Sequence, residues 1–341
     1  MRFTTQAMAE LLIWSLNMTS SHKKYLLILM AISFLVAIIS ACIGGADIGL
    51  KDIFAYFNGD LSKSKEIILL EIRFPRILMA FLIGILLATS GVVTQNIFLN
   101  PVADPYIIGI AASATFGAVI AYLFRMSDIY YAIFAFISSA ILSLLIFKIY
   151  TKARNIATLL IVGIAFSSFL GAFTSFATYM IGEESFKIVA WMMGYLGGAS
   201  WSKIALLTPP LIFTFIYFYS KRYELNILLS GDEEAKSLGV DVDNIKKRLL
   251  IISALAVSFS ISFTGMIGFV GLIIPHIIRM LFQTSNNAVI LPFSAVIGGL
   301  FLLFCDMLGK TLLAPTEIPI GVITAFFGAP FFLFLALKGG R

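Results

Sequence analysis

Long runs of apolar residues recur along most of the chain, and they restrict its fold more than any other feature. A helix needs about 20 apolar residues to cross the roughly 30 Å hydrocarbon layer of a bilayer. The sequence therefore predicts an all-α, polytopic membrane protein with about ten transmembrane helices. The runs cover approximately residues 25–44, 75–98, 107–124, 129–150, 155–181, 202–220, 248–267, 268–283, 288–308 and 318–337.

Composition agrees with this fold class. Of the 341 residues, 60% are hydrophobic and only 12% are charged, whereas a soluble domain carries about 25% charged residues. The two cysteines, Cys42 and Cys305, lie inside apolar runs, so we interpret them as small membrane residues rather than a disulfide pair or metal ligands. The 26 glycines suit helices whose backbones approach closely in a membrane bundle.

The distribution of positive charge predicts the orientation. With the amino terminus inside, 15 of the 24 Lys and Arg residues lie on the cytoplasmic side and 9 lie outside. Positive residues favour the cytoplasmic side, so we predict a multi-pass protein of the cell (inner) membrane with both termini cytoplasmic. The net charge of +6 is spread thinly between apolar runs, and this pattern argues against nucleic-acid binding.

The first apolar run allows a second interpretation. It follows Lys23 and Lys24 and ends in ISAC, Ile39–Cys42, which resembles a lipoprotein processing site. A signal peptide has an apolar stretch of about 7–15 residues, and this run is longer, so a retained first helix is favoured. We therefore predict a cytoplasmic segment over residues 1–24 and a transmembrane domain over residues 25–341.

Motifs for catalysis or nucleotide binding are missing from the sequence. Gly309-Lys310-Thr311 resembles the end of a phosphate-binding loop, but Phe304 stands where that loop requires its first glycine. The histidines, His22 and His276, are far apart, and no Cys/His cluster has metal-ligand spacing. The chain is therefore predicted to have no catalytic residue, metal site or cofactor, and any energy for transport comes from another chain or an ion gradient.

The longest predicted cytoplasmic loop, about residues 221–247, contains the sequence GDEEAKSLGV. Asp232 and Glu233 open a predicted short helix, where acidic groups complement the positive end of the helix dipole. Gly239 is a stop signal. The segment is interpreted either as an amphipathic helix on which a soluble partner acts or as a solvated connector. Its candidate residues are Gly231, Asp232, Glu233, Ala235, Leu238 and Gly239.

Two arginines stand at the predicted outer mouth of the second span. Arg73 and Arg76 are three residues apart, so on a helix they share a face, and Pro75 suits a first helical turn. A guanidinium group pairs bidentately with carboxylates. The arginines are therefore interpreted either as a docking site for an external partner or as anchors for lipid headgroups.

The second and third spans meet in NPVADPYIIG, Asn100–Gly109, whose two prolines and Asp predict a sharp break between helices. Just before this turn the span contains Ser90, Thr94, Gln95 and Asn96. Polar residues inside a membrane usually face the bundle interior or a water-filled path. Interhelical hydrogen bonding and path lining are therefore both open for these side chains.

Several stretches, in this order, resemble the FecCD family of permeases, which serve importers of iron–siderophore complexes, haem and vitamin B12. The likeness covers about residues 25–341. Its vitamin B12 branch has near-matches to WMMG, to GLIIPHIIR and to the LKGGR ending. The matching stretches are RFPR at 73–76, SGVVTQ at 90–95, NPVADPYIIG at 100–109, WMMGYLGG at 191–198, GDEEAKSLGV at 231–240, TGMIGFVGLIIPHIIR at 264–279 and EIPIGVITAFFGAPFFL at 317–333.

The resemblance implies a type II ABC-importer permease with ten helices per subunit. It implies a second permease copy, which we expect to be identical, two cytoplasmic ATPase subunits that bind ATP and Mg, and an external substrate-binding protein. Transport would follow alternating access: ATP closes the ATPases, these move the coupling helices of the permease, and the path opens alternately to each side.

The resemblance also implies roles for individual residues. Arg73 and Arg76 match arginines that grip acidic residues of the binding protein, and Lys310 stands where vitamin B12 permeases have a further arginine. The GDEEAKSLGV segment matches the coupling helices. The Asn100-Pro101 turn and the residues near Ile156 and Ala157 match the cytoplasmic narrowing of the path. Vitamin B12 permeases have small hydroxyl residues there, and this chain does not. The predicted path and gate therefore comprise Gln95, Asn96, Asn100, Pro101, Ile156 and Ala157.

The predicted cargo is a chelated metal compound. An iron–siderophore complex or haem comes first because iron complexes are the commonest cargo of the family, and vitamin B12 (cobalamin) is the alternative. A rival hypothesis is a secondary transporter driven by an ion gradient, but such proteins carry ionisable residues at mid-membrane, and the main candidate, Asp306, lies near the outer end of its span. An intramembrane enzyme would need convergent His, Asp, Ser or Cys residues, and the distant histidines argue against one.

Overall fold

The computed structural model describes residues 18–153 and 156–339, and this part of the chain is helical without strands. The first half contains α1 (Ser20–Cys42), α2 (Leu50–Asn58), α3 (Lys63–Ile67), α4 (Phe74–Phe98), α5 (Ile110–Leu123), α6 (Asp128–Ala153) and α7 (Ile156–Ile181). The second half contains α8 (Phe186–Met192), α9 (Trp201–Ser220), α10 (Arg222–Leu228), α11 (Asp232–Ser237), α12 (Val242–Thr264), α13 (Val270–Phe282), α14 (Asn287–Thr311) and α15 (Ile320–Gly339).

Apolar helices account for all the predicted spans. Among the described residues, 7 helices are long and apolar enough to cross a membrane, and three shorter apolar helices, within α5, α13 and α15, lie in the remaining predicted spans. The all-α, polytopic fold is therefore confirmed. The 181–201 region contains the short helix α8 between turns.

The helix α4 lies at the centre of the bundle. Its apolar membrane-spanning stretch is 78% buried, whereas that of α1 is 17% buried. Glycines allow the backbones of its neighbours to approach it: a Cβ added to Gly84 would lie 2.2 Å from the carbonyl oxygen of Gly298 in α14. A Cβ added to Gly91 would lie 1.9 Å from the carbonyl oxygen of Gly271 in α13. Close packing through small residues is the usual basis of helix association in membranes.

The start of the second span differs from the prediction. Pro75 does not open a helix, because α3 and α4 are joined by the π-helical stretch Ile68–Arg73 into one apolar helix, Lys63–Phe98. Proline cannot donate a backbone hydrogen bond. The wider turn of the π-helix directly before Pro75 is the local adjustment that lets the helix continue through it.

Three breaks between helices contact one another: the one after α8, the one between α12 and α13, and the one before α15. The backbone N–H of Tyr195 donates to the carbonyl of Thr264 (2.7 Å), and the N–H of Ile320 donates to the carbonyl of Gly194 (3.0 Å). Irregular backbone is tolerated in a membrane protein where the protein itself satisfies its polar groups. Glycine is required at this junction, since a Cβ on Gly265 would lie 1.8 Å from the carbonyl oxygen of Trp191.

The loops gather at two ends of the bundle. We name these ends from the predicted orientation: the inner end carries the Asn100-Pro101 turn and the 221–241 loop, and the outer end carries the 43–62 and 312–319 loops. The residues with candidate functions lie near these two ends, and the apolar lengths of the helices separate them.

Candidate functional site

The GDEEAKSLGV sequence forms a short helix with a glycine on each side. We call residues 231–239 the coupling segment. Its helix, α11, is preceded by Gly231 (φ +101°) and followed by Gly239 (φ +84°). Positive φ is the conformation that glycine adopts without strain, so the predicted helix and its glycine stop are both present. The acidic residues Asp232 and Glu233 lie in its first turn.

The coupling segment is anchored on one face and exposed on the other. Asp232 pairs with Lys246 of α12 at 2.5 Å, and the Lys246 side chain is only 2% exposed. Ala235 is fully buried, whereas Leu238 is 63% exposed. The segment therefore packs Ala235 inward and presents Leu238 outward, and its role as a partner contact or as a solvated connector stays a prediction.

At the inner end, polar side chains of four helices form one hydrogen-bonded group. We call Gln95, Asn96, Asn226, Arg279 and Asn287 the inner polar cluster. Arg279 Nη2 donates to Asn96 Oδ1 (2.9 Å) and its Nη1 donates to Gln95 Oε1. Asn96 Nδ2 donates to Asn287 Oδ1 (2.7 Å), and Asn287 Nδ2 donates to Asn226 Oδ1 (2.7 Å). The cluster joins α4, α13, α14 and α10.

The predicted path residues therefore have different positions. Gln95 and Asn96 are 2% and 1% exposed. In this conformation they form hydrogen bonds between helices and do not face an open path. Asn100 and Pro101 are exposed at the inner end, and Asn100 Oδ1 accepts from the N–H of Val102 (3.0 Å). Ile156 and Ala157 lie at the start of α7, but their side chains lie outside the described residues.

The turn after Asn100 is held by Asp104. Its Oδ1 accepts from the backbone N–H of Tyr106 (2.7 Å) and so caps the 3₁₀ turn Pro105–Ile108. Desolvation by burial raises the pKa of Asp104 to about 6, although the hydrogen bond from Tyr106 acts in the opposite direction. Tyr106 in turn donates through its hydroxyl to the carbonyl of Ile267 (3.0 Å), which ties the turn to the break before α13.

At the outer end, four charged side chains form what we call the outer charge cluster: Arg76, Asp306, Lys310 and Glu317. Asp306, which is 1% exposed, pairs with Arg76 Nε at 2.9 Å and with Lys310 Nζ at 2.8 Å. Arg76 Nη1 also pairs with Glu317 Oε1 at 2.8 Å. The cluster contains two positive and two negative groups, and Glu317 is its most exposed member at 40%.

The two predicted docking arginines do not share an exposed face. Arg73 is 7% exposed and donates to the backbone carbonyls of Ala41 and Ala46, both at 2.5 Å. Arg76 turns away from it toward α14. The two guanidinium groups have different partners: backbone carbonyls at the end of α1 and just after it bind Arg73, and carboxylates bind Arg76. Their role in docking stays a prediction.

A cavity of about 610 Å³ adjoins the outer charge cluster. It lies between α8, the loop that follows α8, and the loop that precedes α15. Its walls are mostly apolar, and its polar edge is formed by Arg76, Asp306 and Glu317. Part of the WMMGYLGG sequence lines it, including Met193 and Gly194.

Sequence reasoning missed several partners in these sites. Arg279 is a charged residue in an apolar run, and that signal alone could have marked it. Asn226, Asn287, Lys246 and Glu317 give no comparable signal, because each acquires its partner only in the folded chain. Among the described residues, no group of three or more His, Cys, Asp or Glu side chains is arranged to hold a metal ion.

Comparison with known proteins adds independent information. Residues 26–338 match the FecCD transport family. A hemin transport system permease of Yersinia pestis is 36% identical over 92% of this chain and 94% of its own length. A cobalamin import permease of Halobacterium salinarum is 39% identical over 80% of this chain and 74% of its length. A solved structure, described as an inward-facing ABC transporter of proposed metal-chelate type, superposes with a TM-score of 0.84 at 31% identity, over 93% of this chain and 99% of that one.

Proposed function

The chain belongs to the FecCD transport family and is a multi-pass ABC-importer permease, and we propose that it carries a chelated metal compound, an iron–siderophore complex or haem, across the cell (inner) membrane. The chain performs no covalent chemistry and binds no cofactor, while ATP and Mg bind to a separate ATPase. Both termini lie in the cytoplasm, in accordance with the distribution of Lys and Arg.

The observation that supports ATP-driven transport by this chain is the coupling segment. It presents the exposed Leu238 at the inner end and is anchored to α12 through the Asp232–Lys246 pair. An ATPase that grips this segment can move α12 directly, since the buried lysine leaves the pair little freedom to separate. Of the candidate residues, Glu233, Leu238 and Gly239 are exposed and make the contact, while Ala235 packs inward.

The assembly we propose contains two copies of this chain, two ATPases and one external binding protein. Phe169, Phe176 and Tyr179 of α7 are 70%, 61% and 81% exposed, and in a membrane such apolar side chains contact either lipid or a second copy of the chain. A second copy that faces α7 would enclose a path between the two chains. Arg76, Lys310 and, if the outer loop rearranges, Arg73 receive acidic residues of the binding protein.

Iron complexes lead over other cargoes for two reasons. The Yersinia pestis relative, which matches nearly the whole chain, is a hemin transport permease, and iron complexes are the commonest cargo of the family. Cobalamin is the second candidate, favoured by the Halobacterium salinarum relative at 39% identity.

Uptake into vesicles tests the proposal. The permease is reconstituted with its ATPase and binding protein, and ATP-dependent uptake of a ferric siderophore, haem and cobalamin is compared at equal concentrations. We expect uptake of a ferric siderophore or of haem. Uptake of cobalamin alone would select the second candidate, and uptake of only a sugar or an amino acid would contradict both.

A further inference from the structure

A chain of hydrogen bonds leads from α10, the helix before the coupling segment, into the inner polar cluster. Asn226 lies on α10, the helix that directly precedes the segment. Its Oδ1 accepts from both the backbone N–H and the side-chain Nδ2 of Asn287, each at 2.7 Å, and its own Nδ2 donates to Asn286 Oδ1 at 3.1 Å. Asn286 caps α14 through the N–H of Ala288 (2.9 Å). One side chain thus connects α10 with the first turn of α14.

The chain continues to α4 and has a fixed direction. Arg279 can only donate hydrogen bonds, so Asn96 presents its oxygen to Arg279 and its amine to Asn287. At the other end, the backbone N–H of Asn287 can only donate, so Asn226 presents its oxygen there. No amide in the chain can turn over without breaking a bond. The inner ends of α4, α14 and α10 are therefore held in one relative position.

Burial makes these bonds hard to replace. Asn96 and Asn287 are 1% and 0% exposed, and a buried polar group without a partner is strongly disfavoured. The Asn100-Pro101 turn begins four residues after Asn96, at the end of the same helix. Any displacement of α10 that preserves the bonds must therefore also displace the helix that carries this turn.

We propose that Asn226 is a positioning residue for transport, which links movement of the coupling segment to movement of the Asn100-Pro101 turn. This inference rests on the proposed function, because it assumes that an ATPase moves the coupling segment. Asn226 acts through Asn287 and Asn96 and need not touch the cargo. In the absence of the link, ATP would still move the segment, but the inner end of α4 would follow less.

The test separates these two movements in the assembled transporter. Single labels are placed at Ser237, in the coupling segment, or at Asn100, both of which are exposed, after Cys42 and Cys305 are replaced by Ala. In a transporter with two copies, each label gives one inter-copy distance, which is measured by pulsed electron spin resonance with and without ATP. Uptake per ATP hydrolysed is measured alongside in vesicles.

The variants are Asn226→Leu, which removes all three bonds, and Asn226→Asp, which keeps the acceptor but loses the donation to Asn286. Asn244→Leu is the matched control, since Asn244 is an amide at the same end whose side chain, within the described part of the chain, bonds to Asp241 alone. We expect Asn226→Leu to keep the ATP-dependent change at Ser237, to lose most of the change at Asn100, and to lower uptake per ATP about tenfold. Asn226→Asp should show a smaller loss, and the control none.

The outcomes distinguish the inference from its premise. If the Asn100 distance and the uptake of Asn226→Leu respond to ATP as in the unaltered protein, the positioning role is wrong while the proposed function stands. If the Ser237 distance in the unaltered protein does not respond to ATP, the coupling assignment fails and the inference fails with it. Should Asn226→Leu not assemble, Asn226→Asp carries the same comparison.

Discussion

The two ends of the bundle are held by different chemistry. The outer charge cluster consists of paired full charges, and one of its members, Glu317, is 40% exposed. The inner polar cluster consists of neutral amides attached to the guanidinium of Arg279, and its central residues Asn96 and Asn287 are buried. The outer pairs join opposite full charges, whereas the inner bonds join amides that must each present the correct atom, oxygen or amine, to their partners.

This difference indicates what each end can do. A carboxylate of another protein can replace Glu317 on Arg76, because Glu317 is 40% exposed and can leave the pair for water. A buried amide chain offers no such exchange. The outer end is therefore suited to receiving a partner, and the inner end is suited to transmitting position.

Replacing one buried member of each cluster tests whether the two ends are held differently, and it should give the largest losses of stability. Asp306→Asn leaves Arg76 and Lys310 buried without their shared counter-charge, which should cost about 3–5 kcal/mol of stability. Asn96→Leu removes buried hydrogen bonds and should cost about 1–3 kcal/mol. Thermal unfolding in detergent measures both. Equal losses would contradict the distinction between the ends.

A substitution in the coupling segment tests whether the inner end binds the ATPase. Leu238→Asp places a charge where we propose that the ATPase binds an apolar side chain, and loss of such a contact should cost about 2 kcal/mol or more of binding. ATPase stimulation by the loaded binding protein should fall to the basal rate, while the permease stays in the membrane. Ser237→Asp, on the neighbouring exposed residue, is the control and should retain stimulation. Full stimulation in Leu238→Asp would show that the segment does not receive the ATPase.

The smallest effect concerns partner exchange at the outer end. Glu317→Gln removes the exposed competitor for Arg76, so capture of the binding protein should become tighter by up to about fivefold. Arg76→Glu should weaken capture. Arg73→Gln should instead loosen the contacts to Ala41 and Ala46, with less effect on capture. Surface-bound permease in detergent gives the three affinities, and an unchanged affinity in Arg76→Glu would remove the docking role.

Local features of both ends could be predicted from the sequence. The Asn100-Pro101 turn follows from proline chemistry, and the stop of α11 follows from Gly239, because each depends on a few neighbouring residues. The apolar runs fixed the positions of the spans to within several residues. The start of the second span was missed because proline usually opens or ends a helix, whereas here a π-helical stretch precedes Pro75.

The partners of the functional side chains could not be predicted in the same way. Arg76 and Asp306 are 230 residues apart in sequence, and Asn96 and Asn287 are 191 apart. Sequence reasoning recognised Arg76 and Asn96 as unusual but left open what they contact. Only the packing of α14 against α4 decides these pairs, and that packing depends on glycines such as Gly84 and Gly298, whose spacing in sequence does not identify each other.

We propose that this chain has no source of energy of its own and changes conformation only when an ATPase acts on the coupling segment. The most direct test is to reconstitute the purified permease alone in vesicles and to apply a sodium or proton gradient in the presence of its cargo. We predict no accumulation until the ATPase, the binding protein and ATP are all supplied. Accumulation driven by the gradient alone would contradict the account.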